Sequence, residues 1–277
     1  MNKILSAKWI GRDIREIWVE NAPVADKFKA GQFVVVRTGE KAERIPLTIV
    51  EASDGALRLI VQKVGYSTDI LCSLKTGDFI RDVAGPLGQP SVIENYGRVA
   101  CLAGGIGAAP LKPVLKALKE AGNHLTVLQG VRCKDHLIME DELEVLSDSY
   151  ILVSDDGTCG DKALITEPFK KLIENGEIFD KAFAVGPPPM MQAVSWITKE
   201  YDIPLTVSLN PIMVDGTGMC GACRVEVGDE TKFACIDGPE FDGNLVDFPL
   251  LIGRLKTYLD EEKQIMKEGD GGCSCGN

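Results

Sequence analysis

Between residue 4 and about residue 90, apolar and polar positions alternate in short runs at 14–19, 32–37, 45–50, 57–64 and 78–83, separated by turn-forming residues. A period of two over so few residues predicts half-buried strands, and several at this spacing predict a small antiparallel barrel or sandwich. One or two helical turns at 67–74 interrupt the series and open on Ser67-Thr68, whose hydroxyls can cap exposed amides. The pattern changes at Tyr96-Gly97. A continuous apolar run at 99–103, a Gly-rich turn, an apolar-periodic stretch at 110–121 and a second apolar run at 125–129 read as strand, helix, strand. The rhythm continues through 140–146, 150–154, 167–174, 182–185 and 190–201, which predicts a doubly wound second domain. From residue 205 come a short strand, a Gly/Cys-rich loop and a hairpin at 224–227 and 231–235, and then a helix at 248–267 followed by a Gly-rich tail. The fold class expected is a β barrel plus α/β, with boundaries at 1–92, 93–204, 205–247 and 248–277.

Composition narrows the classes of partner. Hydrophobic content of 45% and charged content of 26% are those of a folded globular chain, which excludes a disordered one. A formal net charge of −11 repels phosphate backbones and anionic lipid surfaces, so neither nucleic acid nor membrane is an expected partner. The N-terminal apolar run is too short for a secretory signal, and the weakly charged stretch at 99–111 is too short and Gly-broken to span a bilayer. A cytoplasmic location is therefore expected, where nine cysteines would stay reduced and their clustering becomes the informative feature. Cys72, Cys101 and Cys133 read as small core residues, Cys159 as an unpaired loop thiol, and Cys273 and Cys275 as part of a frayed tail or a contact to a partner.

The strongest chemical signal is Asp215-x4-Cys220-x2-Cys223-x11-Cys235. Thiolates at x4 and x2 spacing on one loop, with a last ligand from a separate strand, match the plant-type [2Fe–2S] pattern. Asp215 stands where that pattern has cysteine, and a carboxylate can bind iron through oxygen. Gly216, Gly218 and Gly221 let backbone amides approach bridging sulfides. A zinc site or a structural Cys loop is the alternative, but His124 and His136 lie in the other domain. The second signal runs from Ala103 through Gly104, Gly105, Gly107 and Ala108 to Pro110, where a strand meets a helix. Such a turn can hold a diphosphate on helix amides, or can simply be close packing. Past the next strands, Arg132 could meet a 2′-phosphate or be an exposed cation, and Asp155-Asp156 could hold a ribose or form a plain turn. The acidic pair beside a solitary arginine points to NADH rather than NADPH.

A third set, Arg44-Ile45-Pro46-Leu47-Thr48, Gln62 through Thr68 and Gly85 through Gly88, is ordinary punctuation taken alone. In this order, with GGIGAAP, GPPPMM and the cysteine loop behind it, the whole chain resembles the ferredoxin–NADP reductase superfamily. Within it the chain is similar to the electron-transfer subunits of dihydroorotate dehydrogenases and, more closely, to the small subunits of electron-bifurcating, NADH-dependent reduced ferredoxin:NADP oxidoreductases. The resemblance implies an antiparallel FAD-binding barrel, a doubly wound nicotinamide-binding domain and a small C-terminal [2Fe–2S] module. It places Pro46, Leu47, Thr48, Ile60, Gln62, Val64, Gly65, Ser67 and Thr68 at FAD, with Thr48 at the reactive edge of the flavin. It places Gly105, Gly107, Ala108, Pro110, Gly130, Arg132, Asp155, Asp156, Gly186, Pro187, Pro188 and Met190 at NAD(H), and Asp215, Cys220, Cys223 and Cys235 at the cluster. Val185 stands where many members carry a cysteine, which implies hydride transfer by geometry alone. The implied partner is a larger flavin and iron–sulfur subunit in a heterodimer, with ferredoxin reached only through it. Other readings are the electron-transfer subunit of a dihydroorotate or sulfide dehydrogenase, and a non-enzymatic iron–sulfur redox sensor.

Overall fold

The computed structural model describes residues 1–261 and Gln264, so Cys273, Cys275 and the end of the expected C-terminal helix lie outside the described residues. The first region forms β1 (Asn2–Gly11), β2 (Ile14–Glu20), α1 (Ala22–Ala25), β3 (Phe33–Arg37), β4 (Ile45–Thr48), β5 (Glu51–Ser53), β6 (Ala56–Gln62), α2 (Tyr66–Ser73), β7 (Phe79–Ile80) and β8 (Asp82–Leu87). These strands make a five-stranded sheet, β5-β6-β2-β1-β7, and a three-stranded sheet, β4-β3-β8. Alternate residues of the two sheets, among them Ile17, Val19, Val34 and Val36, share one buried core, to which α2 adds Leu71 and Cys72. This is the antiparallel barrel. Two of its features escape sequence pattern. The register of β1 on β2 shifts twice, between Ile4 and Ser6 and between Trp9 and Gly11, so the alternation of β1 is broken where a strand should show it. The run at 78–83 splits into two strands that belong to different sheets.

The second region continues with β9 (Arg98–Gly104), α3 (Ala108–Glu120), β10 (His124–Val131), α4 (Glu140–Leu146), β11 (Ser149–Ser154), β12 (Asp161–Lys162), α5 (Thr166–Glu174), β13 (Lys181–Val185), α6 (Pro188–Glu200) and β14 (Leu205–Ser208). The last elements are β15 (Arg224–Val227), β16 (Glu230–Phe233), β17 (Glu240–Asp242) and α7 (Phe248–Leu255). Seven strands form one sheet in the order β12-β11-β10-β9-β13-β14-β17, parallel except for β17. The strand at 205–208, which sequence pattern groups with the cysteine loop, is thus part of the large sheet, because Leu205 and Val207 are buried in its core. The helix at 248 also differs from expectation. It is interrupted after Leu255 by a turn at 256–258, where Thr257 takes the Arg254 carbonyl with both its amide, at 3.1 Å, and its hydroxyl, at 2.7 Å, and helical conformation returns at 259–261. Among the described residues no helix is long and apolar enough to cross a membrane.

Barrel and sheet are joined by an apolar patch with a charged cluster beside it. Ile14, Val50 and Ile60 of the barrel share a buried cluster with Leu111, Leu115 and Ile138 of the second domain. Beside it, Arg58 grips both oxygens of Glu142 at 2.7 and 2.8 Å and reaches Glu16 at 2.7 Å. Lys112 reaches Glu142 at 2.7 Å and Glu51 at 2.5 Å. The hydrogen bonds from Arg58, then Lys112, hold the Glu142 carboxyl at about 2, against an ordinary 4.5. A carboxylate depressed in the folded state contributes stability that is complete above the unfolded value and is lost as pH falls through the folded one. The melting temperature is therefore expected to fall as pH drops from about 4.5 to about 2, and to fall less in Glu142→Ala over the same window. Equal slopes for the two proteins in calorimetry would refute this.

Candidate functional site

The order of the large sheet reverses between β9 and β13, and a crevice outside the carboxyl ends of strands at such a switch point is where α/β sheets bind ligands. The barrel abuts that point, and a cleft of about 800 Å³ lies between them. From the barrel come Pro46, Thr48 and Gln62. On β4 the two-residue alternation sends Pro46 and Thr48 to the cleft while Leu47 packs against the barrel core. Ile60, expected at the flavin, is instead 6% exposed and part of the apolar patch between the domains.

Beyond Gln62 the chain enters α2 through Gly65, its N-cap residue. Thr68 Oγ1 accepts from the amides of Val64 at 2.9 Å and Gly65 at 3.0 Å, and the first-turn amides of Tyr66 and Ser67, which have no carbonyl one turn earlier within the helix, are placed to hold an anion. A Cβ on Gly65 would meet nothing within 4 Å, which leaves an open cradle in front of those amides. The Ser67 hydroxyl itself donates to Glu43 at 2.5 Å, and the Val64 side chain is exposed. Asp69, whose charge would oppose a diphosphate, is paired with Lys63 at 2.7 Å. The first-turn amides and the open cradle fit the diphosphate of FAD. Val64, Gly65, Ser67 and Thr68 do not line the 800 Å³ cleft itself.

The second domain supplies the facing wall. Gly105, Gly107 and Pro110 come from the β9–α3 turn, and Gly186, Pro187, Pro188 and Met190 from the β13–α6 turn. Two kinds of glycine are present. A Cβ on Gly107 would lie 2.1 Å from the Val185 carbonyl oxygen, and one on Gly186 would lie 2.9 Å from Gly104 Cα, so these two are required by packing of one turn on the other. Gly105, at φ +55 with nothing within 4 Å of its ideal Cβ, faces open space where a nicotinamide nucleotide fits. Ala108, expected at the cofactor, is fully buried on the core side of α3.

Gly130, Arg132 and Asp155 line the cleft at the ends of β10 and β11. Arg132 is exposed and makes no ion pair among the described residues. Asp156 stands outside the cleft lining, and its carboxylate accepts from the Thr158 hydroxyl at 2.7 Å and amide at 2.9 Å, which lowers its pKa. The plain-turn reading thus describes Asp156, while Asp155 is left facing the cleft. Sequence reasoning missed His136, which lines the cleft with Nδ1 3.1 Å from Cys133 Sγ, and Phe33, whose place on the cleft depends on which barrel strand meets the other modules.

The cysteine loop packs on β3. Cys223 and Cys235 are buried with Phe33 and Val35, their sulfurs 3.2 Å apart, too far for a disulfide of about 2.05 Å. Burial and the neighbouring Cys223 push the Cys235 thiol up to about 12, so metal binding here must release protons. The Gly218 amide lies within hydrogen-bonding reach of that sulfur. Asp215 accepts from the amides of Thr217 at 2.9 Å and Cys220 at 3.0 Å, and these bonds lower its pKa. Its carboxylate therefore sits beside Cys220, whose thiol is exposed. Among the described residues no three of these side chains converge on one point. The donors nevertheless form two neighbouring pairs, Asp215 with Cys220 and Cys223 with Cys235, and a donor set in two pairs suits the two irons of a [2Fe–2S] cluster.

A barrel with an anion cradle, set against the switch point of a doubly wound sheet and carrying a two-thiol loop on its wall, defines a flavin- and nicotinamide-dependent reductase with an iron–sulfur module. Comparison with known proteins agrees. Residues 210–247 match the iron–sulfur cluster binding domain of dihydroorotate dehydrogenase B, and residues 101–195 match the oxidoreductase NAD-binding domain. A dihydroorotate dehydrogenase B (NAD(+)) electron transfer subunit homolog of Thermotoga maritima is 49% identical over 265 residues, 95% of this chain and 93% of its own length. The dihydroorotate dehydrogenase B (NAD(+)) electron transfer subunit of Desulforamulus reducens is 34% identical over 76% of this chain and 84% of its own. A chain in the structure of NADH-dependent reduced ferredoxin–NADP oxidoreductase, solved for insight into flavin-based electron bifurcation, superposes with a TM-score of 0.91 at 47% identity over 97% of each chain. A cytochrome P450 reductase of Amycolatopsis, at 22% identity and TM-score 0.61 over 72% of this chain and 65% of its own, shares the fold. The chain belongs to the family of dihydroorotate dehydrogenase B electron-transfer subunits, within the ferredoxin–NADP reductase superfamily. It is an NAD(P)H-dependent oxidoreductase subunit whose cofactors are FAD, an iron–sulfur cluster and NAD(H).

Proposed function

We propose that the chain is the electron-transfer subunit of an electron-bifurcating ferredoxin:NADP transhydrogenase, a heterodimer in which a larger flavin and iron–sulfur subunit deals with ferredoxin. FAD, when bound, would supply an acceptor for hydride from NADH that can also give up single electrons, and a [2Fe–2S] cluster held by the cysteine loop would supply a one-electron carrier toward the partner. The observation that carries this reading is the contiguity of cleft and thiol pair across one strand. Phe33 of β3 lines the cleft, stands opposite Thr48 in register, and is buried with Cys223 and Cys235. Thr48 offers its hydroxyl to the flavin edge, Asp155 a carboxylate to a ribose, and Gly105 open space for the nucleotide. Asp215, Cys220, Cys223 and Cys235 would hold the irons. Around the exposed Cys220, the exposed side chains of Val214, Met219 and Ile236 offer an apolar face for the larger subunit. A dihydroorotate dehydrogenase partner is the second reading, favoured by the 49% identity to the Thermotoga homolog of a dihydroorotate dehydrogenase B electron transfer subunit. The resemblance to the transhydrogenase small subunits, which implies an aspartate at the first-ligand position, favours the transhydrogenase through Asp215.

Two measurements test the proposal. NADH is expected to bleach the bound flavin at least about tenfold faster than NADPH, because Asp155 and one arginine suit a ribose hydroxyl better than a phosphate; the reverse preference would overturn this. The purified chain is expected to reduce artificial dyes with NADH but not NADP with reduced ferredoxin. Full exchange by the chain alone would remove the need for a partner.

A further inference from the structure

Away from the cleft, three segments that build it are tied to one another. Arg58 lies on β6, which runs on to Gln62 and the Gly65 turn. Lys112 lies on α3, the helix that opens at the Gly105–Gly107 turn. Glu142 lies on α4, which follows the wall carrying Arg132 and His136. None of the three lines the cleft between the flavin and nicotinamide walls. The two cations are enclosed, at 10% exposure for Arg58 and 13% for Lys112, as is the Glu16 that backs Arg58, at 4%, while Glu142 is 35% exposed.

The apolar patch beside them, with Ile14, Val50 and Ile60 on the barrel side, excludes water but has no preferred angle, because hydrophobic contact is non-directional. A guanidinium gripping both oxygens of one carboxylate is directional. Arg58 makes that grip on Glu142 across the domain boundary, at 2.7 and 2.8 Å, while its Nε stays on Glu16 inside the barrel at 2.7 Å. Lys112 adds a second crossing bond, to Glu51 of the barrel, and braces the same Glu142.

We infer that the Arg58–Glu142 fork, braced by Lys112, is a positioning device that sets the angle between barrel and nicotinamide domain and thereby the approach of nicotinamide to flavin. The inference rests on the reading that hydride passes from a nicotinamide held by the second domain to FAD held by the barrel. Reacting atoms must come within about 3–3.5 Å, and a displacement of about 1 Å can cost about a hundredfold in rate, so a fork remote from the chemistry can govern it.

Two variants of the FAD- and iron-loaded chain test this by anaerobic stopped flow. Glu142→Ala removes the grip but leaves Arg58 on Glu16 and Lys112 on Glu51, so no enclosed cation is stranded. Arg58→Lys keeps the charge but cannot fork. Both are expected to lower the limiting rate of flavin reduction at saturating NADH by about tenfold or more. The long-wavelength absorbance of stacked nicotinamide and flavin should weaken in both, while FAD and iron contents stay at the wild-type level. A wild-type rate and band in either variant would overturn the inference, as would a rate loss that only tracks lost FAD. A wild-type chain whose flavin neither nicotinamide reduces would refute the hydride reading, and this inference with it.

Discussion

Asp215→Ala is expected to lose most of the iron from the chain, and Asp215→Cys to keep the cluster at a lower reduction potential. The carboxylate already sits beside Cys220, holding that residue's amide at 3.0 Å with Oδ2 and the Thr217 amide at 2.9 Å with Oδ1. Either oxygen that turned to iron would free one amide in a loop where Gly216 and Gly218, at φ +76 and +83, already place the backbone in conformations that side chains disfavour. Alanine removes the donor and both of these bonds together. Cysteine restores a donor that gives iron more electron density than oxygen does, and a more electron-rich cluster is harder to reduce; the raised potential of histidine-ligated Rieske centres is the same effect in the opposite direction. Iron analysis and a redox titration followed by electron paramagnetic resonance check both parts. Full iron content and an unchanged potential in both variants would show that Asp215 only closes the turn, and would remove a main reason for preferring the transhydrogenase reading.

The second large effect is expected at Gly107. One added methyl group there would lie 2.1 Å from the Val185 carbonyl oxygen and 3.1 Å from Gly186 Cα, both backbone atoms that no side-chain rotation can relieve. The β9–α3 and β13–α6 turns must then part, at the point where the two halves of the sheet diverge and the nucleotide is held. Gly107→Ala is expected to cost about 1–3 kcal/mol or more, as overpacking of a closed contact does, and to weaken NADH binding at least about tenfold. Gly105→Ala is the control for the second kind of glycine. Its Cβ meets no protein atom, so its cost in stability is only the left-handed backbone penalty of about 1–2 kcal/mol, while the methyl itself would stand in the space assigned to the nucleotide. Calorimetry separates the two, with the larger loss of stability expected at Gly107. Equal effects at both positions would mean that contact between the turns does not govern the site.

Much of the architecture is written in local pattern. Period-two runs mark the barrel strands and the strand–helix–strand rhythm marks the doubly wound sheet, because each reports which residues one short element must bury. The cysteine spacing is legible for the same reason, since Cys220 and Cys223 share one tight loop and Cys235 follows a hairpin. What the sequence hid depends on pairing between distant segments. β1 is masked by two register shifts that only its alignment with β2 reveals, and β14 reads as part of the cysteine module until its pairing with β13 is seen. Leu47, Ile60 and Ala108 sit in motifs that point to cofactors, yet their side chains pack in cores, because a motif places backbone while the pleat or the helix face decides which side chain turns to the cleft. Asp155 and Asp156 are equivalent in sequence; the Thr158 bonds occupy one and leave the other facing the cleft. Phe33, shared by the cleft and the thiol pair, and the Arg58–Glu142 fork could be known only from the tertiary structure. Each exists where chain segments far apart in sequence are brought within a few ångströms, and no local periodicity encodes such a distance.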